Sequence, residues 1–397
     1  MTTTVAEVGV GVRNLVTRNV RQSGIFVAFV AIFVLFAVLK SEFLSPGNLT
    51  NIILQYSYVL ILATGMLMVI VLGQIDLSVG AVVALTGAVA ANVVIKEHAP
   101  WYVGVLAALA VGLLVGCWQG FWVAYVGIPG FIVTLAGMLL FRGLTYMVLG
   151  NSSLSPFNGT YYRIANGFIN GWFGGYGIDV FTVVVFAIAV VGYAVSQWRT
   201  RRARIAYQQS VEPMPLFLAK LVVVGAVVLW FGSQLARSRG LPIVLILLAA
   251  LIIGYSIVMQ RSVFGRHIYA IGGNLNAAQL SGVKVRRITF WTFVNMGVLA
   301  SVAGIVFSAR TNSAQPGAGN MFELDAIAAC FIGGASTSGG VGRITGAMIG
   351  GLLMGVLANG MQLLGWGQSI QLVIKGIVLL LAVAFDVWNR RRAEATR

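Results

Sequence analysis

Apolar runs of about 20 residues recur along almost all of this 397-residue chain. Each is near the length a helix needs to cross a ~30 Å hydrocarbon layer at ~1.5 Å per residue. Twelve are countable, at 25–39, 52–72, 79–95, 101–126, 131–149, 180–198, 216–236, 241–259, 288–309, 324–342, 346–364 and 370–388. Charged residues make up only 9% of the chain, against roughly 25% in a soluble domain. A water-soluble surface cannot be dressed with so little charge, so the lipid bilayer is the expected solvent for most of the protein. The expected fold is all-α, a polytopic transmembrane helix bundle. The 49 glycines fall mainly inside apolar runs rather than in linkers, which suits helices packed closely in lipid.

Two runs read poorly as continuous helices. The run 324–342 ends in Gly333-Gly334-Ala335-Ser336-Thr337-Ser338-Gly339-Gly340, and glycine costs about 1 kcal/mol relative to alanine in a helix interior. A broken or re-entrant segment is expected there, because irregular backbone at membrane depth survives only where protein or a polar cavity surrounds it. Gly73-Gln74-Ile75-Asp76-Leu77-Ser78 likewise interrupts two apolar runs. Ten to twelve spans are therefore expected within a membrane domain of residues 25–390, between an N-terminal segment, 1–24, and a tail, 391–397.

The formal charge of +16 would point to nucleic acid in a soluble protein. Here the basic residues cluster between apolar runs, as the positive-inside rule requires, and no nucleic-acid partner is expected. With the N-terminus in the cytoplasm, even-numbered connections are cytoplasmic. These include the two most basic ones, with Arg199, Arg201, Arg202 and Arg204, and with Arg261, Arg266, Lys284, Arg286 and Arg287. Segments 150–179 and 310–323 then fall outside, and both termini inside. Arg13, Arg18 and Arg21 precede the first run as in a signal peptide, but Lys40-Ser41-Glu42-Phe43 offers no small-residue cleavage site, so an uncleaved first span is expected.

Catalytic chemistry has no visible carrier. There is no Ser/His/Asp set, no H-E-x-x-H and no phosphate-binding G-x-x-x-x-G-K-[ST] loop. Cys117 and Cys330 lie far apart in apolar stretches and read as packed side chains, while His98 and His267 have no partner at metal-ligand spacing. No enzyme, metal or cofactor is expected, and uphill transport would need a partner ATPase or an ion gradient. Among charges near membrane depth, Arg142, Glu323, Asp325 and Lys375 read as boundary residues. Asp76 is expected to cap the following helix. Asp76, Asn295, Asn359 and Gln362 are the candidate pathway residues. Glycine ladders at 112/116/120, 346/350 and 351/355 predict close helix contacts, within one chain in preference to between copies.

The connection 261–287 is longer than a turn needs. Asn274 reads as a helix N-cap and Gly282 as the stop, which leaves one short helix whose Ala277 and Ala278 permit close approach. Residue chemistry alone leaves two destinations open, a partner's groove or the bilayer surface.

The segment from Phe264 to Val283, with its Gly265-Arg266, Gly272 and Asn274, resembles the coupling loop of the branched-chain amino acid and monosaccharide permeases of ABC importers. Further matching blocks are Phe43-Leu44-Ser45-Pro46-Gly47-Asn48-Leu49-Thr50-Asn51, Gln74-Ile75-Asp76-Leu77-Ser78-Val79-Gly80, Pro129-Gly130-Phe131-Ile132-Val133-Thr134-Leu135, and Glu323-Leu324-Asp325-Ala326 running to Gly342. The likeness spans about residues 25–390. The chain looks most like xylose and multiple-sugar members, because of its length and the extra basic stretch 198–220; Gln74 departs from the small or acidic residue of many relatives. The resemblance implies a bacterial inner-membrane permease for xylose or a related pentose or hexose. It implies a homodimer with the conduit between copies, a separate ABC ATPase and a periplasmic sugar-binding protein. Gly265, Arg266, Gly272, Asn274, Ala277, Ala278 and Gly282 would then form the ATPase-coupling loop. An ion-coupled secondary sugar transporter, prompted by Asp76, is the alternative.

Overall fold

A computed structural model describes residues 20–395. Most of the expected N-terminal segment, 1–19, and the last two residues of the tail lie outside the described residues. The described chain divides into two compact units, one from residues 20–24, 41–51 and 168–242, the other from 25–40, 52–167 and 243–395.

The helices in chain order are α1 (Val20–Leu39), α2 (Pro46–Val71), α3 (Val79–Ala91), α4 (Trp101–Phe121), α5 (Gly130–Leu149), α6 (Gly159–Asn166), α7 (Val180–Ala206), α8 (Met214–Ser238), α9 (Ile243–Arg261), α10 (Val263–Gly273), α11 (Leu275–Leu280), α12 (Val285–Thr311), α13 (Phe322–Ile332), α14 (Ile344–Leu363) and α15 (Gln368–Ala395). Short π-helical turns extend α3 over Asn92–Lys96 and α4 over Trp122–Val126. Among the described residues nine helices are long and apolar enough to span a bilayer, and two shorter apolar helices, Gly24–Leu39 and Gln368–Ala384, join them. The run 324–342 is not a span: α13 stops at Ile332 after 11 residues and the glycines that follow turn.

In the first unit, α7 and α8 form an antiparallel hairpin in which Gly232 admits the Phe186 ring and Gly225 faces Val190. Asp179 starts α7 as its N-cap, accepting hydrogen bonds from the Thr182 N–H at 2.9 Å and the Gly171 N–H at 2.8 Å. The basic stretch expected as a connection continues α7 as helix to Ala206. A two-residue antiparallel ribbon, β1 (Phe168–Ile169) with β2 (Leu241–Pro242), closes the unit.

The second unit is organised around α12, a helix of 27 residues and so ~40 Å long. Glycines let its neighbours approach to backbone distance. The ladder at Gly112, Gly116 and Gly120 on α4 lies against Ser301, Val294 and Phe290 of α12, with a Cβ at Gly116 placed 2.7 Å from the Val294 Cα. Gly304 of α12 meets Val83 and Thr86 of α3, while Gly65 of α2 meets Met296. Gly346 and Gly350 of α14 abut Gly333 and Ala329, and Gly351 and Gly355 abut Leu60 and Tyr56 of α2. All three predicted ladders therefore serve contacts within one chain. In lipid, where burial of apolar surface drives little, such close packing supplies cohesion through dispersion.

Candidate functional site

The segment 261–287 folds as two consecutive helices. Ser262 opens α10, its hydroxyl accepting from the Gly265 N–H at 3.0 Å. A Cβ at Gly265 would strike the carbonyls of Val258 and Met259, so the corner between α9 and α10 needs glycine. Arg266 is exposed and donates to the Arg261 carbonyl at 3.1 Å. At Asn274 the backbone becomes extended (φ −159°, ψ 104°) and the side chain caps α11, accepting from the Ala277 N–H at 3.0 Å. Gly282 closes α11 with a left-handed φ of +81°. The N-cap and the stop fall where the sequence placed them.

The two alanines differ. Ala277 is exposed, whereas Ala278 is only 4% exposed and packs on the inner side of α11. Leu280 fills the outward role, with 90% of its surface exposed. Leu275, at the other end of the same six-residue helix, is also exposed, at 47%.

Three backbones meet behind this helix pair. A Cβ at Gly272 would collide with the Val71 carbonyl and would lie 2.6 Å from the Gly340 nitrogen. The Gly340 N–H donates to that same Val71 carbonyl at 2.8 Å. Gly339 and Gly340 both take left-handed φ values, +80° and +71°, and bring the turn after α13 against Gly73 and Gly273. The Tyr269 hydroxyl adds a bond to the Gly342 carbonyl at 2.6 Å. The end of α10 is thereby fastened to the end of α2 and to the glycine-rich turn between α13 and α14. A cavity of about 550 Å³ lies beside the junction, with Gln74, Asn274, Arg286, Thr289 and Ser338 among its polar lining residues.

Both predicted interruptions border this junction. Gly73, at φ +87°, ends α2, and the extended residues up to Ser78 are satisfied from α5. Gln74 Oε1 accepts from the Gly130 N–H at 3.0 Å, and the Leu77 N–H donates to Thr134 Oγ1 at 3.1 Å. Gln74 thus holds the start of α5. Asp76 does not cap α3. Its Oδ1 accepts from the N–H and hydroxyl of Ser78 at 2.9 and 2.7 Å, a local turn onto the residue that precedes α3 instead of onto the N–H groups of its first turn, and Gln119 Nε2 donates to the same hydroxyl at 2.5 Å.

The other pathway candidates are held by separate partners. Asn295 of α12 accepts from the Tyr255 hydroxyl and lies 3.4 Å from Met68 Sδ. Gln362 accepts from Gln55 at 3.3 Å, and Asn359 is buried on α14. The boundary charges are engaged more firmly than position alone implies. Lys375 of α15 pairs with Asp325 of α13 at 2.9 Å, Arg142 of α5 donates to the carbonyls of Pro316 and Ala318, and the Glu323 carboxylate is buried against Gly80. The pair 325/375 was missed because its members stand in different runs. The signal available was one acid and one base inside otherwise apolar segments.

At the far end of α12 the two segments expected outside come together. Tyr161 bonds Ser308 at 2.9 Å, the Phe157 N–H reaches Asn312 at 3.1 Å, and Leu154 pairs with Ala314. These contacts set both segments at the end of α12 opposite the basic connection at Val285.

Residues 48–383 match the family described as branched-chain amino acid transport system / permease component. The xylose transport system permease protein XylH of Haemophilus influenzae is 38% identical over 93% of this chain and 97% of its own length. XylH of Escherichia coli K12 is 36% identical, covering 96% of each chain. The ribose import permease protein RbsC of the same strain is 38% identical over 90% of this chain and 92% of its own. No solved structure matches.

Proposed function

This chain belongs to the family of branched-chain amino acid transport system permease components, and from that membership we propose that it is the membrane-spanning subunit of a binding-protein-dependent ABC importer for a monosaccharide. Xylose or a related pentose is the favoured cargo, since the XylH proteins match over nearly their whole length. In this reading a separate ATPase hydrolyses ATP, a periplasmic binding protein delivers the sugar, two copies of the chain enclose the conduit in the bacterial inner membrane, and both termini are cytoplasmic. Asp76, Asn295, Asn359 and Gln362 are retained as proposed pathway residues.

The observation that carries the reading is the mounting of α11. It presents Leu280 and Ala277 outward, and α10 behind it is fastened at Gly272 to α2 and to the turn before α14. A partner that grips α11 would therefore move the ends of membrane helices rather than a floppy loop. The alternative, ion-coupled transport, is separated by a protonophore applied to cells whose ATP is clamped. Sugar uptake should continue; collapse of uptake at constant ATP would favour ion coupling.

A further inference from the structure

We propose that the groove between the end of α4 and the start of α12 is a binding site for the anionic headgroup of a membrane phospholipid. The groove, about 430 Å³, is lined by Tyr125, Gln279, Lys284, Arg286 and Arg287. All three cations are exposed, and among the described residues none forms an ion pair. The chain offers them no nearby carboxylate in sequence. Residues 213–322 contain no Asp or Glu, and of the acids bounding that stretch Glu212 sits with Lys220 at 3.7 Å while Glu323 is buried at Gly80. Three uncompensated charges converging on one groove raise the local potential, and a ligand anion is the group that lowers it.

What selects a lipid over another anion is the wall above the groove. Trp118, Phe121 and Tyr125 recur at helical spacing on the outward side of α4, and all are exposed. Phe121 contacts Tyr125 at 6.1 Å, Tyr125 contacts Phe290 at 5.6 Å, and Phe290 contacts the exposed Trp291 at 5.5 Å. This is a membrane-facing aromatic strip that ends on a basic groove, the composition of a headgroup interface. A lipid could lay its acyl chains along the strip and place its phosphate among Lys284, Arg286 and Arg287. A free anion would use only the cations. The proposal needs membrane residence alone and stands whether or not the chain imports a sugar.

The test is native mass spectrometry of the full-length protein after exposure to mixed phosphatidylglycerol and phosphatidylcholine of matched acyl chains. Wild type should retain phosphatidylglycerol several-fold over phosphatidylcholine. The triple variant K284Q/R286Q/R287Q should lose that preference, while R199Q/R202Q/R204Q, which removes equal charge elsewhere, should keep it. Absence of a preference in wild type, measured without any variant, would overturn the site, as would equal loss in both triple variants. Displacement of the lipid by millimolar inorganic phosphate would overturn the lipid assignment and leave a simple anion site.

Discussion

The Tyr269 hydroxyl donates to the Gly342 carbonyl at 2.6 Å, joining a helix that precedes α11 to the residues that lead into α14. A single neutral hydrogen bond contributes only about 0.5–1.5 kcal/mol net to stability. Tyr269→Phe should therefore fold and insert normally. If the bond carries motion from α11 to α14, the variant should take up less sugar per ATP hydrolysed. Unchanged stoichiometry would assign Tyr269 a packing role only.

Gly272 and Gly273 form an internal comparison. A methyl at Gly272 meets backbone on two sides, the Val71 carbonyl and the Gly340 nitrogen, whereas one at Gly273 meets nothing within 4 Å. Backbone cannot withdraw as a flexible side chain can, and overpacking costs about 1–3 kcal/mol. Gly272→Ala should lower both the melting temperature and uptake, and Gly273→Ala should do neither. Equal effects would show that the junction is looser than described.

Lys375 and Asp325 face each other across α15 and α13, with only 19% and 15% of their side chains exposed. Removing one partner from this partly buried pair strands the other charge, at a cost of up to about 3–5 kcal/mol, the cost for a fully buried pair. Lys375→Ala and Asp325→Ala should each reduce the amount of folded protein in the membrane. The exchange D325K/K375D should recover part of it, and a double-mutant cycle on thermal stability measures the coupling. Additive losses would mean that the pair is incidental.

Asp179 gives a pH-dependent prediction. Burial raises its pKa, and the hydrogen bonds from Thr182 and Gly171 outweigh that, leaving the carboxyl below its ordinary value. A carboxyl depressed on folding stabilises the fold above its unfolded pKa, about 3.9, and that contribution is lost as pH falls through the lower folded value. Asp179→Asn should therefore melt below wild type at pH 7, and the gap should narrow below about pH 4. A gap constant with pH would mean that the side-chain shape, and not its charge, sets the cap.

Most of the span pattern and α11 were legible because each is set by local chemistry: run length, glycine, and the Asn274 cap; α10 was not, since one short helix is expected in 261–287 and two form. The glycine ladders announced close contact, though not with whom. The missed features are relations between distant residues. Nothing local to Tyr269 points to Gly342, and Lys375 and Asp325 are separated by a turn and a whole helix. Asp76 was misread because an N-cap and a turn onto Ser78, two residues ahead, use the same residue type at nearly the same place. Ala277 and Ala278 read alike because a six-residue helix shows too little periodicity to fix its inner face, although only Ala278 is buried.

This chain is proposed to conduct only when a separate ATPase grips α11. The most direct test is sugar uptake into sealed vesicles that hold the chain, the ATPase and the binding protein together, compared with vesicles lacking each in turn and with a Leu280→Asp chain. ATP-dependent uptake only in the complete system, abolished by Leu280→Asp in protein that still inserts, is the predicted result. Uptake that persists without the ATPase, or that is unaffected by Leu280→Asp, would contradict the account.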